Sequence, residues 1–113
     1  MILACIPAFN EEARIGDVIT EAKKYVDSVV VCDDGSSDNT SKIVVSHGAE
    51  LITHSKNLGK GAAMKSLFNY AKNHDVELVV MIDGDGQFKA NEIPFLIKPI
   101  LNGFDIVIGN RLG

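Results

Sequence analysis

The chain has 113 residues, of which 46% are hydrophobic and 23% charged, a size and apolar content that suit one domain around one core and exclude a disordered polymer. Its longest apolar runs, 29–32 and 78–82, fall far short of the ~20 residues a membrane-spanning helix needs. Eleven basic against fifteen acidic residues give a net charge of −4, without the basic excess that a phosphate backbone demands, so no nucleic-acid partner is expected.

In chain order, apolar runs of strand length fall at 2–6, 28–32, 50–53, 78–82 and 105–108, with stretches of helical periodicity between them. The first of these, 11–25, carries Ile15, Val18, Ile19, Ala22 and then Val26 on one stripe, with Asn10 as its expected N-cap and Glu11 complementing the helix dipole. A shorter helix is predicted over 38–45, capped by Ser36, Ser37 or Asp38, and a longer one over 60–71 with Ala63, Leu67, Phe68 and Ala71 inward. A last helix is predicted over 92–101, capped by Asn91, with Pro94 in its first turn and Pro99 bending or ending it.

Cys5 and Cys32 each sit inside an apolar run, which predicts two buried free thiols and a reducing, cytoplasmic compartment. His47, His54 and His74 have no mutual metal spacing and are expected at the surface or at strand edges. Strands apolar on both faces and alternating with helices imply a doubly wound α/β domain, a mostly parallel sheet covered by helices on both sides. Ligands bind such sheets beyond the carboxyl ends of the strands, so chemistry is to be sought in the residues that follow each strand.

Asp83-Gly84-Asp85 is the sharpest of these segments. Two carboxylates one glycine apart at a strand end can share a hard divalent cation, which takes oxygen ligands; turn aspartates bonding their own backbone are the structural alternative. A metal held there would neutralise a diphosphate and act as a Lewis acid on a leaving phosphate. Asp33 and Asp34 close the second strand before the Gly35-Ser36 turn, where one could accept hydrogen bonds from a base edge or ribose hydroxyl and the other cap the next helix. Gly59-Lys60-Gly61-Ala62-Ala63-Met64 partly matches a dinucleotide fingerprint, but Met64 stands at the third glycine position and the loop follows the third strand. Its two glycines are expected to permit close helix–sheet packing, with Lys60 reaching an anion.

Together five segments resemble the inverting, nucleotide-sugar-dependent glycosyltransferases of family 2: Ile6-Pro7-Ala8-Phe9-Asn10-Glu11-Glu12, Val31-Cys32-Asp33-Asp34-Gly35-Ser36-Ser37-Asp38-Asn39-Thr40, Asn57-Leu58-Gly59-Lys60-Gly61-Ala62-Ala63, Met81-Ile82-Asp83-Gly84-Asp85-Gly86-Gln87 and Val107-Ile108-Gly109-Asn110-Arg111. The resemblance is nearest to the polyprenyl-phosphate (dolichyl-phosphate) mannosyl or glucosyl transferases. It implies a GT-A fold, a nucleotide diphosphate sugar donor of the GDP-mannose or UDP-glucose type, Mg²⁺ or Mn²⁺, and a polyprenyl phosphate acceptor. By position it places Pro7, Asn10 and Glu11 in the first nucleotide-contacting segment and Asp33 and Asp34 at the base and ribose. Asp83 and Asp85 match the D-x-D motif for metal and diphosphate, Gln87 a glutamine that often follows it, and Arg111 an arginine near the phosphates.

Residues 1–113 then read as a single donor-binding domain cut before the acceptor-binding half, which would supply the catalytic base and any membrane association at the cytoplasmic face. Phe88-Lys89-Ala90-Asn91 stands where the polyprenyl-phosphate branch often has His-Pro. The rival from another class is a nucleotide-sugar-binding module without turnover. A haloacid-dehalogenase-type phosphatase would need the aspartate pair on the first strand rather than the fourth.

Overall fold

The computed structural model describes residues 1–82 with their side chains and the backbone of the strands at 97–99 and 105–108. Strand β1 (Ile2–Ala8) leads into helix α1 (Ile15–Ala22), followed by β2 (Ser28–Asp33), α2 (Thr40–Ser46), β3 (Glu50–Thr53), α3 (Lys60–Lys72), β4 (Leu78–Met81), β5 (Ile97–Pro99) and β6 (Asp105–Ile108). The strands form one sheet in the order β3-β2-β1-β4-β6-β5, parallel throughout except for the β5–β6 pair.

Alternation of side chains along the strands builds two cores. Ala4, Ile6, Ala8, Val29, Val31, Val80 and Ile82 pack on one face against Ile15, Val18, Ile19 and Ala22 of α1 and Val44 of α2. Leu3, Cys5, Val30, Cys32, Val79 and Met81 pack on the other against Ala63, Leu67 and Ala71 of α3. Burial on both faces is why the strands read as unbroken apolar runs, and helices on both faces make the sheet doubly wound, as expected. Chain order runs outward from β1 through β2 to β3 and then returns to β1's other side with β4. The sheet therefore reverses between β1 and β4, and the crevice beyond their carboxyl ends is the favoured ligand position in such folds.

Pro7 lies inside this central strand, opposite Cys32. A strand's backbone groups alternate in direction, so the N–H that proline lacks would point toward β4 with the Cys5 carbonyl. The ladder to β4 ends at Cys5–Met81, followed by one bond of 3.0 Å from the Ile82 N–H to the Cys5 carbonyl, so the missing donor falls beyond it.

Two expected elements are corrected. Residues 97–99, placed in a helix over 92–101, form β5, which pairs antiparallel with β6 on the sheet's edge. Ile97 favours a strand, and Pro99 is tolerated only because an edge strand has one side with no ladder to donate to. The first helix starts at Ile15 rather than 11; the residues before it form a turn whose Glu11 carbonyl accepts the Arg14 and Ile15 N–H groups (3.0 and 2.8 Å).

Cys5 and Cys32 are fully buried free thiols, as expected. Burial pushes the Cys5 thiol up to about 12; burial, then the charges of Asp34 and Asp33, push Cys32 to about 11. The thiolate is the reactive form, so neither is expected to react with a thiol reagent at neutral pH until urea unfolds the chain. Rapid labelling in the native protein would show that the sheet faces open readily.

Candidate functional site

Three loops leave the carboxyl ends of β1, β2 and β3 and are bonded to one another as one rim. The first and second exchange hydrogen bonds reciprocally. The Asn10 N–H donates to Ser36 Oγ (2.8 Å), and the Ser37 N–H donates back to Asn10 Oδ1 (2.8 Å). Asn10 adopts a left-handed backbone, φ 52°, a conformation its short polar side chain accepts more readily than most. It is therefore a strut between loops, not the N-cap of α1.

Further along, the Glu11 N–H donates to Thr40 Oγ1 (3.0 Å), the Glu12 N–H to Asp38 Oδ2 (3.2 Å) and the Asn39 N–H to Glu12 Oε2 (3.1 Å). Asp38 also takes the Thr40 N–H at the start of α2 (2.9 Å), but the helix's N-cap is Asn39, with no side-chain cap bond, rather than Ser36, Ser37 or Asp38 as expected. Burial raises the Asp38 carboxyl, but the Thr40 hydroxyl, which also donates to it, and the Thr40 and Glu12 N–H groups outweigh burial and hold the group below its ordinary value.

Asp33 and Asp34 are both buried and divide their work. Asp33 accepts the Ser36 N–H on Oδ1 (3.0 Å) and the Ser41 hydroxyl on Oδ2, fastening its own loop and α2. Asp34 reaches the third loop: Oδ1 accepts the Leu58 N–H and Oδ2 the Gly59 N–H, both at 2.9 Å, and the His54 ring lies 2.8 Å from Oδ1 through Nδ1. Desolvation raises the Asp34 carboxyl, but the Leu58, His54 and Gly59 donors prevail and leave it below its ordinary 3.8. A carboxylate offers about four accepting positions, so Asp33 with two bonds and Asp34 with three each keep capacity for a ligand donor.

Gly35, at φ +76°, presses directly on the backbone of Lys56 and Asn57. Gly59 takes φ +99° as the residue before α3, where a side chain would be strained. A Cβ at Gly59 or Gly61 would meet nothing within 4 Å, so close helix–sheet packing, the expected reason for these glycines, is not what they provide among the described residues. Lys60 begins α3 with an exposed side chain.

Of the residues singled out from the sequence, the fold brings Pro7, Asn10, Glu11, Asp33, Asp34 and Lys60 to the carboxyl-end rim. Asp83, Asp85, Gln87 and Arg111 lie outside the described residues. Among the described residues no three His, Cys, Asp or Glu side chains are grouped to hold a metal. His54 joins the rim although no motif or spacing in the sequence alone marks it as a site residue. Expected at the surface or a strand edge, its side chain is only 11% exposed and sits between Asp34, Cys32 and Ser66. The signal for it was its place directly after β3: Thr53 pairs with Asp33, so the next residues in register are His54 and Asp34.

The doubly wound sheet, with its first three carboxyl-end loops cross-bonded beside the topological switch, makes this an α/β domain with its loops gathered at the favoured ligand position of such folds. Residues 3–113 match the model of glycosyl transferase family 2, and the chain belongs to that family. It is 32% identical over 127 residues to a dolichyl-phosphate beta-glucosyltransferase of Trichomonas vaginalis, covering 94% of this chain and 37% of that one. It is 30% identical over 131 residues to a UDP-N-acetylglucosamine–dolichyl-phosphate N-acetylglucosaminyltransferase of Methanococcus voltae, covering 99% and 52%. Among solved structures it is similar to glucosyl-3-phosphoglycerate synthase from Mycobacterium tuberculosis in complex with Mn²⁺, UDP and glucosyl-3-phosphoglycerate, with 29% identity and a TM-score of 0.62 over 74% of this chain and 33% of that one. The chain thus spans about half or less of the length of each of these proteins.

Proposed function

We propose that this domain binds a nucleotide diphosphate sugar at the carboxyl-end rim, with Mg²⁺ or Mn²⁺, and that the polypeptide carrying it transfers a hexose from that donor to a polyprenyl phosphate. The observation that carries the reading is the rim itself, a cross-bonded set of loops beside the switch point in a family 2 domain. A UDP and Mn²⁺ complex of a structurally similar protein supports the donor and metal class. The acceptor class is supported by the dolichyl-phosphate transferases among the relatives.

In this reading Pro7, Asn10 and Glu11 line the nucleotide, Asp33 and Asp34 take donors of the base and ribose, and Lys60 and Arg111 serve the phosphates. Asp83 and Asp85 hold the cation, and Gln87 contacts substrate. The rim's carboxylates, Glu11, Glu12, Asp33, Asp34 and Asp38, would repel a diphosphate by themselves, which is the electrostatic reason a divalent ion belongs in the site.

Calorimetric titration with UDP, UDP-glucose and GDP-mannose, with and without Mn²⁺, tests the donor site. One nucleotide is expected to bind, more tightly by about tenfold or more with Mn²⁺, an effect of at least ~1.4 kcal/mol. Asp83→Ala and Asp85→Ala are expected to abolish the Mn²⁺ effect. Absence of binding by all three nucleotides would overturn the donor reading. The acceptor is tested separately by transfer of labelled sugar to a polyprenyl phosphate in detergent.

A further inference from the structure

We propose that His54 is a positioning residue of the donor pocket, a latch that holds the Asp34 carboxylate against the Leu58–Gly59 backbone and anchors both to α3 through Ser66. The proposal rests on the reading of Asp34 as a nucleotide-contacting residue and concerns how that carboxylate is kept in place.

The geometry is specific at both ring nitrogens. Nδ1 lies 2.8 Å from Asp34 Oδ1, and because an ionised carboxylate only accepts, Nδ1 carries the proton. In the neutral imidazole Nε2 is then the acceptor, and the Ser66 hydroxyl stands 2.9 Å from it, with Cys32 Sγ at 3.6 Å. The ring thus spans from the end of β2 to the second turn of α3, joining groups 20 and 12 residues away in sequence. His54's own N–H donates to the Asp33 carbonyl (2.9 Å), which fixes the backbone that carries the ring.

Asp34 would otherwise depend on two backbone N–H groups of an irregular loop to set its direction. A carboxylate must be held within a fraction of an ångström to read a ligand donor, and a ring fixed at both ends by hydrogen bonds supplies that restraint. Asp34 and Ser66 touch His54 at different atoms, so the two contacts can be separated by substitution. In His54→Asn the amide nitrogen replaces Nδ1 and keeps the donor to Asp34 while losing Ser66. In His54→Gln the longer side chain reaches the Nε2 position and keeps Ser66 while losing the donor to Asp34.

The test uses the intact protein and two readouts, amide hydrogen exchange at Leu58 and Gly59 and the dissociation constant of UDP or GDP with Mn²⁺. With loss of one charge-assisted hydrogen bond, exchange in His54→Gln and His54→Ala is expected to accelerate about tenfold at both amides, and nucleotide affinity to fall about tenfold. His54→Asn, which keeps the donor to Asp34 but loses the Ser66 anchor, is expected to fall in between, with both readouts changed about threefold, and any transfer activity of the Gln and Ala variants is expected to show its loss in KM rather than kcat. Equal behaviour of Asn and Gln, or unchanged exchange in Gln, overturns the proposal. If His54→Ala does not fold, the Asn and Gln pair decides alone. If the wild type binds neither nucleotide, the donor reading falls, while exchange still decides whether His54 holds Asp34.

Discussion

Asp34→Ala is expected to destabilise the fold by about 3–5 kcal/mol, the range for removing one partner from a buried charged hydrogen-bond set. Asp34 is 4% exposed. Its removal strands three donors together: the Leu58 and Gly59 N–H groups and His54 Nδ1. The third loop then loses its attachment to the end of β2, so nucleotide affinity is expected to fall with stability. Asp34→Asn keeps an acceptor but turns an NH₂ toward a donor, and is expected to cost about 1–3 kcal/mol, the penalty for one unsatisfied buried group.

Urea unfolding at pH 7 measures both, with a lowered midpoint at unchanged slope. A loss below about 1 kcal/mol in the alanine variant would mean that water replaces the three bonds freely.

The same group predicts the acid limb of stability. Its folded carboxyl lies below the ordinary 3.8, so its contribution is complete above that value and is lost as the pH falls through it toward the folded value. Asp38 is shifted the same way and contributes in the same window. Below pH 4 the wild type is therefore expected to lose stability more steeply than Asp34→Ala, and the two curves to converge.

What could be read in advance follows from which forces are local. The parallel strands announce themselves because burial on two faces leaves continuous apolar runs such as 29–32, and α3 because its inward residues repeat at helical spacing. β5 left no such mark: three residues with a proline carry neither period, and pairing with β6 decides their state. The start of α1 was misplaced for a related reason. Asn10 and Glu11 suit a helix N-terminus by type, but their backbone N–H groups go to Ser36 and Thr40, and no sequence window reveals a partner 26 or 29 residues away.

The rim divides along the same line. Asp33, Asp34 and Lys60 were visible because strand-end aspartates and a glycine-flanked lysine are unusual in composition and position. Spacing between histidines speaks only to metal binding and so does not single out His54. Its partners are a carboxylate on the neighbouring strand and a hydroxyl on α3, and such a constellation exists only once β2 and β3 are paired.

Gly35→Ala is expected to be as damaging as loss of Asp34, for a steric reason at the same junction. At φ +76° a side chain costs about 1–2 kcal/mol by itself. The added Cβ would also lie 2.4 Å from the Lys56 carbonyl carbon and 2.5 Å from the Asn57 nitrogen. Both contacts are backbone, so no rotamer relieves them and the third loop must move away. That movement pulls on the bonds from Leu58 and Gly59 to Asp34, and the total is expected at about 3–5 kcal/mol, with nucleotide affinity lost in proportion. Because both substitutions break the same attachment, the Asp34→Ala/Gly35→Ala double variant is expected to fall short of the sum of the two by about 1 kcal/mol or more. Full additivity would show that the clash is absorbed without disturbing Asp34. Gly61→Ala is the control: an added Cβ there meets nothing within 4 Å, and alanine is favoured in a helix, so a neutral change or a gain of up to about 1 kcal/mol is expected. If Gly35→Ala also proved neutral, the close approach of the second and third loops would not be a constraint on the rim.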